Sequence, residues 1–291
     1  GSGNLGTALT TGTDNVAIGE ASLDAVTTGS DNTAVGDNAG GALTTGGNNV
    51  AIGSGALLVA TTAADNTAIG TLALTANSSG TDNTAVGYAA GDANTTGSDN
   101  TFIGDNAGGA NTTASNNTAV GSSALLVNTT GTENVAVGSQ ALIANTTGDY
   151  NTGIGYTSLT ANTTGERNNA VGYGTLAANT TASYNTAMGH SALYANTTGA
   201  SNTAFGNDAL TANTTGTGSA AVGANALDAN TTGNYNVAVG QHALGKNTTG
   251  ANNIGIGYGS LSEILTVDNN TAVGHIALTN SVGANNTAVG S

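Results

Sequence analysis

The sequence predicts an all-β fold, a parallel β-solenoid of 17-residue repeats, from three observations. A glycine that follows Ala-Val or a similar pair returns every 17 residues from Gly19 to Gly274, and a last step of 16 leads to Gly290. Such self-similarity at a fixed short period is typical of solenoids. Gly, Asn and Thr dominate the unit, which argues against a helix pair. The chain has no proline, so every backbone N–H is available to pair with a neighbouring repeat.

Each repeat position indicates a local structure. We number the positions 1 to 17 from the asparagine of Asn-Thr-Ala-Val-Gly, as at Asn185. The short β-branched run at positions 2–4, ended by an invariant glycine, predicts a strand and a turn. Position 9 is Leu in thirteen repeats and Gly in three, and it follows an Ala in most of them, which predicts a second short strand. Asn-Thr-Thr-Gly at positions 12–15 predicts a second turn.

The small residue at position 3 predicts an assembly of identical chains. Side chains alternate faces along a strand, so positions 2 and 4 share one face and position 3 lies on the other. Position 3 is Ala, with only Gly153, Gly255 and Phe102 as variants, so both faces are expected to be dry. One face fills the coil, and the position 3 face then needs a partner surface, which we expect in a side-by-side homotrimer. The alternative is a single-chain solenoid with two internal layers.

Phe102 is the only large residue at position 3. Gly91 and Gly108, in the preceding repeat and its own, are two of the three glycines that replace the position 9 leucine. We expect the ring to fill the space of the missing leucines. The alternative is an outlier tolerated in a loosely packed repeat.

The array is expected to be continuous over residues 1–291, with about 17 repeats, a partial first repeat and irregular repeats near 253–285. The chain starts inside a motif, stops just after another and shows no signal peptide, so we interpret it as a segment of a longer protein. The irregular stretches 253–269 and 270–285 indicate that the regular array is ending there or meeting a different domain.

Composition excludes several partners. Two Lys or Arg against 17 Asp or Glu give a formal charge of −15, which disfavours nucleic acid. No run of 18 apolar residues exists, so no membrane insertion is expected. The low content of Phe, Ile, Leu and Val would by itself predict disorder, but the periodicity overrides it. The acidic surface is expected to keep a β-rich coil soluble.

Candidate chemistry is sparse. His190 and His275 occupy position 6 and His242 position 7, each in a different repeat, and there is no cysteine. We therefore predict no catalytic residue, no cofactor and no enzyme. A calcium column is the weaker alternative at position 17, because carboxylates one repeat apart repel each other unless a cation lies between them. Its members are Asp14, Asp31, Asp65, Asp82, Asp99 and Glu133. Solvated turn residues are the simpler interpretation, and no metal site is predicted.

Two further features lie in the turns. The Asn-Thr-Thr segments match the N-glycosylation acceptor pattern, although turn geometry alone explains them. These asparagines include Asn77, Asn94, Asn111, Asn128, Asn145 and Asn247. Tyrosines are scattered over position 6, namely Tyr88, Tyr156, Tyr173 and Tyr258. Exposed aromatic rings can stack on sugars, but a scatter is more often without function.

The string Asn-Val-Ala-Val-Gly from Asn134 to Gly138, followed by Ala141, resembles the head repeats of YadA-type trimeric autotransporter adhesins. Their unit reads roughly S-V-A-I-G-x-x-A-x-A-x-G-x-x. The present unit has 17 residues instead of 14, with the extra residues in the Asn-Thr-Thr-Gly turn. The repeats are also similar to those of phage tail-fibre shafts. The resemblance implies a left-handed parallel β-roll, three chains side by side, and a role in projection or attachment.

We therefore predict the structural shaft or head of an extracellular fibre on a cell or virion surface. Its partners are expected to be two further copies of itself and a host-surface or matrix receptor that the sequence does not identify. An ice-binding monomeric solenoid that uses threonine ladders is the alternative. Position 2 carries Thr, interrupted by Val16, Val50, Val135, Val237 and Ile254. A polysaccharide-degrading β-helix enzyme is disfavoured, because near-identical repeats leave no irregular loop to hold a site.

Overall fold

The computed structural model describes residues 8–280 and 283–291. These residues form an all-β parallel β-solenoid of about 16 turns without a helix. Each repeat contributes one three-residue strand. The strands are β1 (Val16–Ile18), β2 (Thr33–Val35), β3 (Val50–Ile52), β4 (Thr67–Ile69), β5 (Thr84–Val86), β6 (Thr101–Ile103), β7 (Thr118–Val120), β8 (Val135–Val137), β9 (Thr152–Ile154), β10 (Asn169–Val171), β11 (Thr186–Met188), β12 (Thr203–Phe205), β13 (Ala220–Val222), β14 (Val237–Val239), β15 (Ile254–Ile256), β16 (Thr271–Val273) and β17 (Thr287–Val289).

The chain divides into two compact units, Gly1–Asp149 and Tyr150–Ser291. In the first unit each strand from β1 to β8 pairs in parallel with the next. In the second unit β9 to β17 do the same. The register places identical repeat positions opposite each other, as Thr67 and Thr84 do. The shorter last repeat keeps this register, since Thr271 pairs with Thr287.

The predicted second strand around position 9 is wrong. In every repeat that has Leu at this position, from Leu23 to Leu278, the leucine adopts a left-handed backbone with φ between 48° and 54°. Position 7 is left-handed as well, for example at Gln140 with φ 60°. Such residues reverse the chain direction instead of extending it, so positions 6–11 form a compact bend. The leucine side chains point into the coil and are fully buried in most repeats.

The prediction that position 3 faces a partner chain is also wrong. Ala34, Ala68, Ala85 and their equivalents in β2 to β16 are buried within the single chain, whereas Ala17 of β1 and Ala288 of β17 are half-buried. Positions 2 and 4 of the same strands point outward and are half-buried or exposed. A repeat with one strand encloses one thin interior, and alanine at position 3 leaves room there for the leucine at position 9. The position 3 face, which the sequence predicted to be shielded from water by a partner chain, is therefore the inside of the coil.

The invariant glycine at position 5 has two physical causes. Its φ lies between 122° and 141°, a backbone conformation that residues other than glycine rarely adopt. A Cβ atom at Gly53 would also lie 2.5 Å from the carbonyl oxygen of Gly70 in the next repeat. Any larger residue would force neighbouring repeats apart.

A ladder of buried asparagines at position 1 links the repeats. The Asn83 Oδ1 atom accepts a hydrogen bond from the backbone N–H of Asn100 at 3.1 Å and from its Nδ2 at 3.0 Å. Within its own repeat the Asn83 Nδ2 atom donates to the carbonyl oxygen of Gly97 at 2.9 Å. Each asparagine therefore joins neighbouring repeats and also closes its own loop. The side-chain oxygen and nitrogen of Asn83 therefore both have hydrogen-bond partners in the interior, where an unsatisfied polar group is costly.

Position 12 carries a second buried ladder. In the first unit Asn94, Asn111, Asn128 and Asn145 each donate to the Oδ1 atom of the preceding asparagine at 3.0 to 3.2 Å. The same bonds link Asn162 to Asn247 in the second unit. The ladder ends where Ile264 replaces asparagine, and Oδ1 of Asn247 then has no hydrogen-bond partner.

The space-filling interpretation of Phe102 is confirmed. The ring is fully buried. A Cβ atom added to Gly91 would lie 2.5 Å from the Phe102 Cδ2 atom, and one added to Gly108 would collide with the opposite edge of the ring. The phenylalanine thus occupies the volume of the position 9 leucines on both sides.

The irregular repeat at 253–269 remains within the solenoid. Ile264 is buried at position 12, and Glu263 pairs with Lys246 across one repeat, with Oε2 and Nζ 2.6 Å apart. Leu265 is exposed. Of the stretch 270–285, residues 281 and 282 lie outside the described residues.

Replacing Phe102 by Ala is expected to lower the free energy of unfolding by about 3–5 kcal/mol, because it leaves a cavity in a closely packed interior. Adding Gly91→Leu and Gly108→Leu to this variant is expected to restore most of the loss, since leucine adopts the required backbone at position 9 of other repeats. Urea unfolding midpoints of the single and triple variants measure the coupling. A triple variant no more stable than Phe102→Ala would contradict the packing complementarity.

Replacing Asn117 by Ala is expected to lower the free energy of unfolding by about 1–3 kcal/mol for each buried hydrogen-bond partner left unsatisfied. Its Oδ1 accepts from the backbone N–H of Asn134 at 3.0 Å, and its Nδ2 donates to the Gly131 carbonyl at 2.9 Å. Asn117→Ser should cost less, because Ser219 at the same repeat position still accepts from the N–H of Asn236 at 3.2 Å. Equal losses of the urea midpoint for both variants would contradict the ladder's role.

Candidate functional surfaces

The outward face of the strands presents the same two positions in every repeat. We call it the strand face and define it by positions 2 and 4 of each repeat. Position 4 presents Val or Ile in most repeats, with Ile52 37 % exposed and Ile103 39 % exposed. Position 2 presents mostly Thr or Val, half-buried in most repeats. The strand face is therefore an apolar and hydroxyl-bearing stripe along the strands of each unit.

Charge is absent from the strand face. All 17 acidic and both basic residues of the chain lie outside the seventeen strands. The threonines at position 13, by contrast, use their hydroxyls internally: Thr95 Oγ1 donates to the Thr112 carbonyl at 2.9 Å, and Thr27 Oγ1 to the Thr44 carbonyl at 3.0 Å. The threonines of the strand face are mostly half-buried, and a second row of outward threonines lies at position 14, where Thr96 and Thr113 are exposed.

Two of the scattered position 6 tyrosines form one stack with His190 in the second unit. The ring centroids of Tyr156 and Tyr173 are 5.6 Å apart, and those of Tyr173 and His190 are 5.0 Å apart. The signal was available, because these residues occupy the same position in three consecutive repeats. Arg167 similarly lies over the rings of Tyr150 and Tyr184, 5.0 and 5.7 Å from their centroids, and pairs with Glu166 at 3.0 Å.

A groove of about 360 Å³ crosses the second unit on the side formed by positions 6–11. Its walls come from four consecutive repeats. They consist of Asp228, His242, Gly245, Lys246, Tyr258, Gly259, Ser262, Glu263 and Ile276. Burial raises the pKa of the Asp228 carboxyl, an effect that backbone hydrogen bonds and the nearby His242 oppose. His242 and Tyr258 occupy different positions in different repeats, so the sequence pattern did not indicate that they share this groove.

The structure does not bring the candidate calcium ligands together into a site. The position 17 acids from Asp14 to Glu133 are exposed, left-handed turn residues. Over residues 8–280 and 283–291, no three Asp, Glu or His side chains lie close enough to hold a metal ion. His190 Nδ1 lies 4.0 Å from the Asp208 Oδ1 atom, with both side chains exposed, and His275 stacks on Tyr258 at 5.4 Å.

The Asn-Thr-Thr asparagines are buried parts of the position 12 ladder. Asn94 is completely buried, and its Nδ2 atom donates to the Gly97 carbonyl at 3.0 Å. This nitrogen is the atom that an N-linked glycan would modify. The folded coil therefore protects these acceptor motifs, and their repetition follows from hydrogen bonding between repeats.

No protein-family model, curated protein or solved structure matches this chain. No helix among the described residues has the length and apolar character needed to cross a membrane.

Proposed function

We propose that the chain is a structural shaft or head of an extracellular fibre, built from three left-handed β-rolls that pack side by side through their strand faces. Its role is reach and surface attachment on a cell or virion, without catalysis. The resemblance to adhesin head and tail-fibre repeats supports the location and the threefold arrangement.

The observation that carries this proposal is the strand face. Contiguous apolar side chains on a soluble protein mark interaction surfaces. Here Val and Ile return at position 4 with the period of the repeat, so a second copy in the same register meets the same chemistry at every level. Interior packing cannot explain these residues, because the position 3 alanines face the core.

Charge distribution favours identical partners at this face. Copies of a chain with a formal charge of −15 repel each other, and this repulsion is smallest where the contact surface is free of carboxylates. Three strand faces packed around a common axis keep every acidic side chain on the outside. The hydroxyls of position 2 then hydrogen-bond across the contact or remain at its hydrated rim.

The native mass tests the assembly. Light scattering in the presence of a calcium chelator is expected to give about three times the chain mass of 27.6 kDa. A glutamate at alternate repeats of the strand face, in the variant Ile52→Glu, Val86→Glu, Val120→Glu, should dissociate the particle, because like charges would be buried together.

The matched control carries the same charges two residues further along each repeat, as Ser54→Glu, Tyr88→Glu, Ser122→Glu. These position 6 side chains are exposed. The control is expected to keep the mass of the wild type. A wild-type particle of one chain mass, or equal dissociation of both variants, would refute assembly through the strand face.

Ice binding is the second candidate, favoured by the threonines of the strand face. Thr67, Thr84, Thr101 and Thr118 lie in register on adjacent strands, two residues from the position 4 Val or Ile. A monomer with this face open to solvent should show thermal hysteresis in freezing-point measurements. Thr84→Lys and Thr118→Lys together should abolish it, whereas position 6 variants Thr71→Lys and Ser122→Lys should not. A wild-type chain without hysteresis would refute this function.

A further inference from the structure

We infer that the groove of the second unit binds a neutral saccharide. This inference rests on the proposed attachment role and gives that role a ligand class. The groove is lined by residues of positions 6, 7, 10 and 11 and by none of the strand face. It is therefore expected to stay accessible when strand faces pack together. Its volume of about 360 Å³ is within the range of small-molecule sites.

Two small residues open the groove. Gly245 at position 10 and Gly259 at position 7 of the following repeat are neighbours in its wall. A Cβ atom at Gly259 would meet nothing closer than the Ile276 Cγ1 atom at 3.9 Å, and one at Gly245 would lie 3.5 Å from the Asp228 Oδ1 atom. Side chains at these positions would therefore occupy the groove.

An equivalent step in the first unit shows what closes such a groove. Gly109 occupies the same repeat position as Gly245, and a Cβ atom there would also lie 3.5 Å from a carboxylate oxygen, that of Asp92. Leu126 fills that site, with its Cδ1 atom 3.2 Å from the same Cβ position. In the second unit Ser262 replaces this leucine, so the space stays open and gains a hydroxyl.

The lining is amphipathic in the manner of a sugar site. Tyr258 is 50 % exposed, its ring stacks on His275 at 5.4 Å, and it lies perpendicular to the His242 ring at 6.2 Å. A ring restrained by these two contacts offers apolar surface with little loss of rotamer entropy on binding. The C–H face of a pyranose is the part of a saccharide that packs against such rings.

The polar groups of the groove suit a ligand that carries hydroxyl groups and no negative charge. Asp228 and Glu263 accept hydrogen bonds, Lys246 donates them, and Ser262 does both. The Lys246 charge is already paired with Glu263 at 2.6 Å, so Asp228 leaves the groove with a net negative character. A phosphorylated, sulfated or carboxylated ligand would be repelled. Neutral hexoses and N-acetylhexosamines carry the hydroxyls and the apolar face and lack the charge.

The experiment uses the whole chain on a printed array of neutral and acidic oligosaccharides, followed by calorimetric titration with the strongest neutral binder. The wild type is expected to bind neutral members only. Gly245→Leu should weaken binding by at least about tenfold, a change of about 1.4 kcal/mol. Leucine is tolerated at this repeat position, as Leu58 and Leu126 show. Tyr258→Ala should have a comparable effect.

The matched controls are Gly109→Leu, at the same repeat position, and Tyr88→Ala, an exposed position 6 tyrosine outside the groove. Both should bind as the wild type does. Absence of neutral saccharide binding, preference for acidic glycans, or full binding by Gly245→Leu would overturn the inference. Native mass on the same samples separates the two proposals: a trimer that binds no sugar refutes only the groove, and a monomer whose binding Gly245→Leu abolishes refutes only the trimer.

Discussion

The hydrogen-bonded register between repeats is the constraint on which the rest of the structure depends. The asparagine at position 1 sets this register. Its Oδ1 atom accepts a hydrogen bond from the backbone N–H of the next repeat, and its Nδ2 atom donates to a carbonyl at the end of its own repeat. The final repeat separates this role from that of position 12. Across the shortened step the Asn286 N–H still donates to the Asn270 Oδ1 atom at 3.1 Å, although the position 12 ladder has already ended at Asn247. The position 1 ladder thus tolerates a lost residue elsewhere in the loop.

A fixed register with a thin interior determines which positions can vary. The glycine at position 5, the alanine at position 3 and the leucine at position 9 meet atoms of the neighbouring repeats on all sides, so a change at one requires a change at another. Phe102 with Gly91 and Gly108 is such a compensated set. Positions 6, 7, 10, 16 and 17 contact solvent on one side and carry nearly all of the charge and aromatic variety.

The sequence was sufficient for the period, the parallel register and the fit around Phe102, because each follows from comparing equivalent positions. It was insufficient for the bend at positions 6–11. Leucine is an uncommon residue in the left-handed region, and an Ala-Leu pair looks like the start of a strand, so the pattern favoured a second strand. The same error led to the wrong orientation of the first strand. With a second strand to fill the interior, the position 3 side chains could have lain on the outer surface of the coil. The groove was missed for another reason: its wall combines positions 6, 7, 10 and 11 of different repeats, which only the coil geometry brings together.

Identical repeats can build an extended surface but not a unique site. The strand face is uniform because its two positions vary only among Thr, small apolar and β-branched residues in nearly every repeat, which suits contact with a copy in the same register. A site for a small ligand needs the opposite, a place where neighbouring repeats change together. Gly245 opens the surface only because Gly259 and Ser262 accompany it, whereas Gly109 does not because Leu126 closes the same space. The proposed assembly surface and the proposed saccharide groove therefore use different residues of the repeat, and a change in one set leaves the other set unaltered.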